Sequence, residues 1–169
     1  MVNVTPRTKT APMAFTRREF WRGVRASWCI FMIELTAVLI GMGIVQSGLP
    51  WGPPLSMVTL YLVVGLPVGG AVSAVVAALS SPLAWYLGRR LATTRTIAVH
   101  LAAFALLGAL IGTVLIGTIA LLSGAAATRY VFGWPFSGVV VGVCVAAVVG
   151  GWAWTAWRSH RESTRITGV

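Results

Sequence analysis

Residues Thr96 to Ser123 read TIAVHLAAFALLGALIGTVLIGTIALLS, a run with no Asp, Glu, Lys or Arg. About 20 consecutive apolar residues are enough for a helix to cross the ~30 Å hydrocarbon core of a bilayer. A surface helix of a soluble protein would need a polar face, and this stretch has none. It predicts a transmembrane helix. Three companion runs, about 27–46, 56–87 and 136–157, have the same character. The expected fold is an all-α membrane protein, a four-helix transmembrane bundle over 27–157, with flanking segments at 1–26 and 158–169.

Composition points the same way. Of 169 residues, 57% are hydrophobic and 9% charged, and the mean hydropathy is +0.87. A soluble domain usually carries about a quarter charged residues. So much apolar sequence in so short a chain is expected to face lipid.

The net charge of +10 raises the question of nucleic acid, and its distribution answers it. Arg7, Lys9, Arg17, Arg18, Arg22 and Arg25 form one cluster, Arg89, Arg90 and Arg95 a second, and Arg158, Arg161 and Arg165 a third; Arg129 stands apart. Each cluster flanks a long apolar run, as cytoplasmic loops do under the positive-inside rule. Both termini are therefore expected in the cytoplasm. The partners expected for these clusters are anionic lipid headgroups, with no nucleic acid, because no nucleic-acid-binding motif accompanies them. Arg outnumbers Lys twelve to one, and Ala, Gly and Val are abundant. That bias points to a bacterial plasma (inner) membrane, crossed several times.

The N-terminal segment carries Thr16 and Glu19 at capping-box spacing, with Phe15 and Phe20 placed for a hydrophobic staple. A short interfacial amphipathic helix is expected there, ahead of the first span. Thr16-Arg17-Arg18-Glu19-Phe20 resembles a twin-arginine export signal. The following stretch, however, contains Glu34, lacks a small-residue cleavage site and leads into three more spans. A cap and a topogenic charge cluster account for all of these residues. At ~1.5 Å per residue the run 56–87 would reach about 48 Å, well beyond the bilayer core. Ser56 is its expected N-cap, Pro67 beside Gly65, Gly69 and Gly70 predicts a kink, and Ser80-Ser81-Pro82 predicts its meeting with the inner interface. The outer loop before the last span is expected to hold Arg129, Tyr130 and Trp134. Trp21, Trp28, Trp85, Trp152, Trp154 and Trp157 are expected in an inner aromatic belt, with Trp51 and Trp134 in an outer one.

Small residues recur at four-residue spacing: Gly65 and Gly69 in the second span, Gly108 and Gly112 in the third, and Gly138, Gly142, Ala146 and Gly150 in the fourth. Such ridges let helices approach closely where lipid removes the hydrophobic drive for association. They serve either the bundle itself or a contact with a membrane-protein partner or a second copy. Glu34 is the one acid within a span, and an ionised carboxylate at the bilayer centre costs on the order of 3 kcal/mol on insertion scales. His100 and Ser73 can be placed at comparable depth, so Glu34, Ser73 and His100 are expected to form a polar intramembrane cluster. Cys29 and Cys144 sit in apolar runs and are read as small apolar residues. No metal-ligand spacing, cofactor motif or catalytic motif is present, so neither metal, cofactor nor enzymatic activity is expected.

Two functions fit this pattern. The first is an accessory or assembly subunit that acts by helix packing in a membrane complex. The second is a small oligomeric proton-coupled transporter using Glu34. Four helices with a glutamate in the first resemble, in outline, the small multidrug-resistance exporters, which implies that second function. Those exporters carry little charge bias between the two sides, whereas here twelve basic residues fall on one side and Arg129 alone on the other.

Overall fold

The computed structural model describes residues 16–46, 58–133 and 135–167. Phe15, Ser56, Trp51 and Trp134 lie outside them, and with them the expected staple, the N-cap of the second span and the outer belt. Among the described residues, four helices are long and apolar enough to cross a membrane: Arg17–Val45, Val58–Leu91, Ile97–Leu121 and Phe136–Arg158. Among the described residues there is no strand.

Helix α1 spans Arg17–Gln46. Its start is the expected capping box: the Glu19 amide donates to Thr16 Oγ1 at 3.1 Å, and the Thr16 amide donates to Glu19 Oε2 at 2.7 Å. The interfacial segment is not a separate helix. No proline interrupts 17–46, so the capped first turns run straight into the span.

The second span begins as helix at Val58 and widens to a π turn over Tyr61–Gly65, before helix α2, Leu66–Leu91. Pro67 explains the change. It has no N–H to return to the carbonyl four residues back, so the regular ladder is interrupted just before it. Pro82 lies inside α2 and creates the same deficit at the Ala78 carbonyl. There Ser81 Oγ donates to Ala78 O at 2.8 Å, replacing the missing amide. Hydrophobic surroundings offer no water for that carbonyl, which makes the hydroxyl the available donor. The helix consequently passes through Ser80-Ser81-Pro82 and continues to Leu91.

Helix α3 covers Ile97–Phe132 and helix α4 covers Phe136–Thr167. Both outrun the sequence expectation. The segment with Arg129 and Tyr130 is the last part of α3 and not a loop, because Ala125, Ala126 and Ala127 favour helix and no proline intervenes before Pro135. The tail after Trp157 stays helical to Thr167, and its basic residues complement the negative end of the helix dipole.

The strongest contact is between α3 and α4, followed by α1 with α4, then α1 with α2. α2 and α3, though consecutive, touch only sparsely. In space the order is therefore α2, α1, α4, α3, with an open seam between the two ends of the series. Glycine sets the α3–α4 distance. A Cβ at Gly108 would stand 2.7 Å from Val145 Cα, and one at Gly112 would stand 2.9 Å from Val141 Cα. Backbones that close leave no room for a side chain. Gly65 and Gly69 likewise receive Leu39 and Leu35 of α1, and Gly150 receives Ile30. α4 meets α1 where a Cβ on Gly23 would reach Thr155 Oγ1 at 2.6 Å and one on Gly151 would strike Ser27 Oγ.

Phe104, Leu107 and Trp152 form one buried cluster, and Ile116 and Ala120 a second. Outside them the surface is apolar: Leu79, Leu106 and Leu121 are each more than 70% exposed. A lipid solvent removes the penalty for that exposure.

Candidate functional site

The three residues expected to share one polar cluster sit on three separate contacts. Trp28, Met32, Leu35 and Leu39 are the α1 residues that meet α2. Ser73 belongs to that seam: its Oγ accepts from Trp28 Nε1 at 3.1 Å and donates to Gly70 O at 3.0 Å. Gly23, Ser27 and Ile30 face α4 instead. Glu34, four residues past Ile30, continues that second face. Because each residue turns a helix by about 100°, Glu34 lies roughly 200° around from Met32 and points away from Ser73.

His100 is the most deeply buried large side chain, 1% exposed, with Nδ1 3.1 Å from Thr96 O. A carbonyl can only accept, so Nδ1 carries the proton, and in the neutral ring Nε2 is a bare acceptor. The ring stacks on Trp152 with centroids 5.5 Å apart. Trp152 adjoins Gly151, which is level with Ser27, and Glu34 is seven residues farther along α1. That spacing is about 10 Å at 1.5 Å per residue. Among the described residues no hydrogen bond joins Glu34, Ser73 and His100. Depth counted from the ends of spans gave no azimuth, and helix azimuth decides which side chains meet. Trp152 corrects a second expectation: it is 8% exposed and lies in the core between His100 and Phe104, not in the inner belt. Trp21, Trp154 and Trp157 remain about half exposed, as belt residues are.

Three polar atoms are buried without a hydrogen-bond partner among the described residues: Glu34 Oε2, His100 Nε2 and Trp152 Nε1. The Glu34 side chain as a whole is half-buried, with Oε2 its shielded end. Native structures leave few such groups, and each one calls for an explanation.

One feature of the bundle was missed by sequence reasoning. A cavity of about 580 Å³ opens among all four helices, in the half that holds the α2–α3 connection. Small residues on two facing helices create it. Gly23 and Ser27 line it from α1, and Ala77, Ser81, Ala84 and Gly88 line it from α2 at spacings of four, three and four. That spacing marks one helix face, and it was legible as a small-residue stripe. Whether small residues bring helices together or leave a void depends on what stands opposite, which no single helix reveals. Phe104, Leu107, Ile111, Val148 and Trp152 close the other wall, and Arg89 and Thr93 stand at the end nearest the connection. A smaller groove of about 320 Å³ lies between α1 and α4, with Glu19, Arg22, Arg25 and Arg158 around it.

The packing ridges divide. Gly65, Gly69, Gly108, Gly112 and Gly150 are used within the bundle, whereas a Cβ at Gly142 would meet nothing within 4 Å and Ala146 is exposed. Gly138, one turn earlier, is half-buried. Comparison with protein-family models, with curated proteins and with solved structures finds no match for this chain.

Proposed function

We propose that this chain is an accessory or assembly subunit of a membrane complex, held to its partner by helix packing and with no catalytic role of its own. The observation that carries this proposal is the open face of α4 around Gly142 and Ala146. Small residues facing lipid gain little, but against a second helix they permit close backbone contact. Every other glycine ridge named above is already occupied by this chain's own side chains or backbone.

Charge selects the partner. A second copy apposed on the same face by a two-fold axis would bring Arg158 and Arg161 of both chains to one membrane edge. With thirteen basic and three acidic residues, the chain is complementary to a different protein with acidic residues beside its transmembrane helix. Positive-inside clustering supports cytoplasmic termini, and the arginine-rich, lysine-poor composition supports a bacterial plasma membrane.

The test is purification of the full chain in mild detergent, with Gly142→Leu and the lipid-facing Leu106→Ala alongside. The expected result is a stoichiometric partner with an acidic membrane edge, kept by Leu106→Ala and lost by Gly142→Leu. A chain that runs alone or as a homo-oligomer by light scattering, or a partner that survives Gly142→Leu, overturns it.

A second function, proton-coupled transport through an oligomer, draws support from the partnerless Oε2 of Glu34. Membrane-buried acids commonly mark proton or cation paths. Its test is Glu34→Gln in reconstituted vesicles carrying a proton gradient. Dissipation of the gradient equal to that of the wild type would remove the coupling role.

A further inference from the structure

We propose that the 580 Å³ cavity binds one acyl chain of an anionic phospholipid, with the headgroup held at Arg89. The proposal goes beyond the partner contact on α4 and does not depend on it.

The cavity has an axis, and its chemistry changes along it. At the end near the α2–α3 connection stand Arg89 and Thr93. Arg89 makes no ion pair among the described residues, whereas its neighbour Arg90 is engaged by Tyr86, whose hydroxyl accepts from Nε at 2.8 Å. Farther in, the ring of Trp152, stacked on His100 of α3, lines the wall and is 8% exposed. Beyond that level the lining is Leu107, Ile111, Val148 and Ala77, with Ser80 and Ser81, whose hydroxyls already donate to carbonyls of α2. A cation at the mouth followed by an apolar interior is the complement of a phosphate and an acyl chain. Phosphate oxygens are acceptors, and Arg89 and Thr93 supply donors at the mouth.

Size and access agree with that occupant. At about 30 Å³ per water-sized group, the space holds roughly twenty such groups, the bulk of one long chain and not of two. The sparse α2–α3 contact opens the cavity sideways toward lipid, so the second chain can remain in the bilayer. An aqueous ligand would have to enter past the basic mouth and then bury its polar groups against Phe104, Leu107 and Ile111. A bilayer lipid needs only to slide in.

The experiment uses the full chain in mixed micelles with equal phosphatidylglycerol and phosphatidylcholine of identical acyl chains. Retained lipid is counted by native mass spectrometry. In parallel, tryptophan fluorescence is quenched with brominated versions of the same lipids. The wild type is expected to retain one phosphatidylglycerol in preference to phosphatidylcholine. Arg89→Gln is expected to weaken that preference roughly fivefold, the effect of one basic residue beside an anionic group. Ala84→Phe, which fills the cavity, is expected to release the lipid and to reduce quenching. Arg89 is exposed, so its substitution keeps the test decisive even if Ala84→Phe fails to fold. Equal retention of the two lipids, or a preference unchanged by Arg89→Gln, overturns the proposal. So does a preference abolished by Arg25→Gln alone, which would put the lipid in the 320 Å³ groove between α1 and α4.

Discussion

His100 and Trp152 lie stacked in the core, ring centroids 5.5 Å apart and planes 24° from parallel, each with one nitrogen that meets no partner. The two orphaned atoms are a donor on Trp152 and, in the neutral ring, an acceptor on His100, yet stacking keeps them from satisfying each other. The pair joins α3 to α4 by ring contact, not by hydrogen bonding.

His100 should therefore tolerate an apolar ring. His100→Phe keeps the stack and removes a buried, unpaired nitrogen while losing the bond to Thr96 O, so stability is expected to change by less than about 1 kcal/mol. His100→Ala leaves a void beside Trp152 and is expected to cost about 2–4 kcal/mol. Unfolding of the two variants in mixed micelles by added SDS checks the order. Equal losses would mean that His100 is held by a polar partner and not by the ring contact.

Ser81 and Pro82 should behave as a coupled pair. Removing the hydroxyl in Ser81→Ala strands the Ala78 carbonyl and is expected to cost on the order of 1 kcal/mol. In a Pro82→Ala background the restored amide can bond that carbonyl, so the same substitution should cost much less. A double-mutant cycle is expected to give a coupling of about 0.5–1 kcal/mol. Additive effects would leave the Ser81–Ala78 bond without a role in carrying α2 through its proline.

Gly108 and Gly142, both read from sequence as ridge residues, should respond in opposite ways. A side chain at Gly108 would enter the α4 backbone, and Gly108→Leu is expected to destabilise the isolated chain by on the order of 2 kcal/mol. Gly142→Leu meets open space and should leave the isolated chain within about 0.5 kcal/mol of wild type, as surface substitutions generally do. Thermal melting of the chain free of partners measures both. A destabilised Gly142→Leu would mean that this face of α4 is occupied within the chain itself.

These contrasts mark what the sequence could and could not carry. The four spans were legible because charge and apolar length identify a helix one segment at a time. Helix ends were less so: the residues after Ser123 and after Trp157 were read as connection and tail, whereas α3 runs on through Gly124 to Phe132 and α4 runs on to Thr167. Trp152 resembled its exposed neighbours Trp154 and Trp157, and only the seating of α4 against Gly108 and Gly112 turns it inward. The absence of a hydrogen bond among Glu34, Ser73 and His100 has the same origin. The three residues were matched by depth, whereas the faces of α1 that meet α2 and α4 follow from tertiary contacts.

Topology supplies a further expectation. If the basic clusters lie inside, as proposed, a cytoplasmic reporter fused near Thr93 or at Val169 should be active, and a periplasmic one near Gly52 or Ala126. Replacing Arg89, Arg90 and Arg95 together by Gln should weaken the retention of the central connection and give mixed reporter signals. A reporter at Thr93 that reads as external in the unaltered chain would end the termini-inside arrangement.

Glu34 carries the last prediction, because its surroundings separate a structural acid from a working one. It continues the α1 face that holds Gly23, Ser27 and Ile30 against α4, and its Oε2 is shielded with no donor beside it. Had the carboxylate been bound into a pair, removing it would strand the partner and cost about 3–5 kcal/mol. With no partner to strand, Glu34→Gln should leave stability within about 1 kcal/mol of wild type, and Glu34→Leu should be neutral or stabilising. SDS unfolding of the three proteins measures this directly. An acid whose removal strengthens the fold is retained for something other than folding, and loss of proton flux in Glu34→Gln vesicles would then identify its role. A loss of several kcal/mol in Glu34→Leu would instead make Glu34 a structural member of the α1–α4 contact, and transport through it would be abandoned.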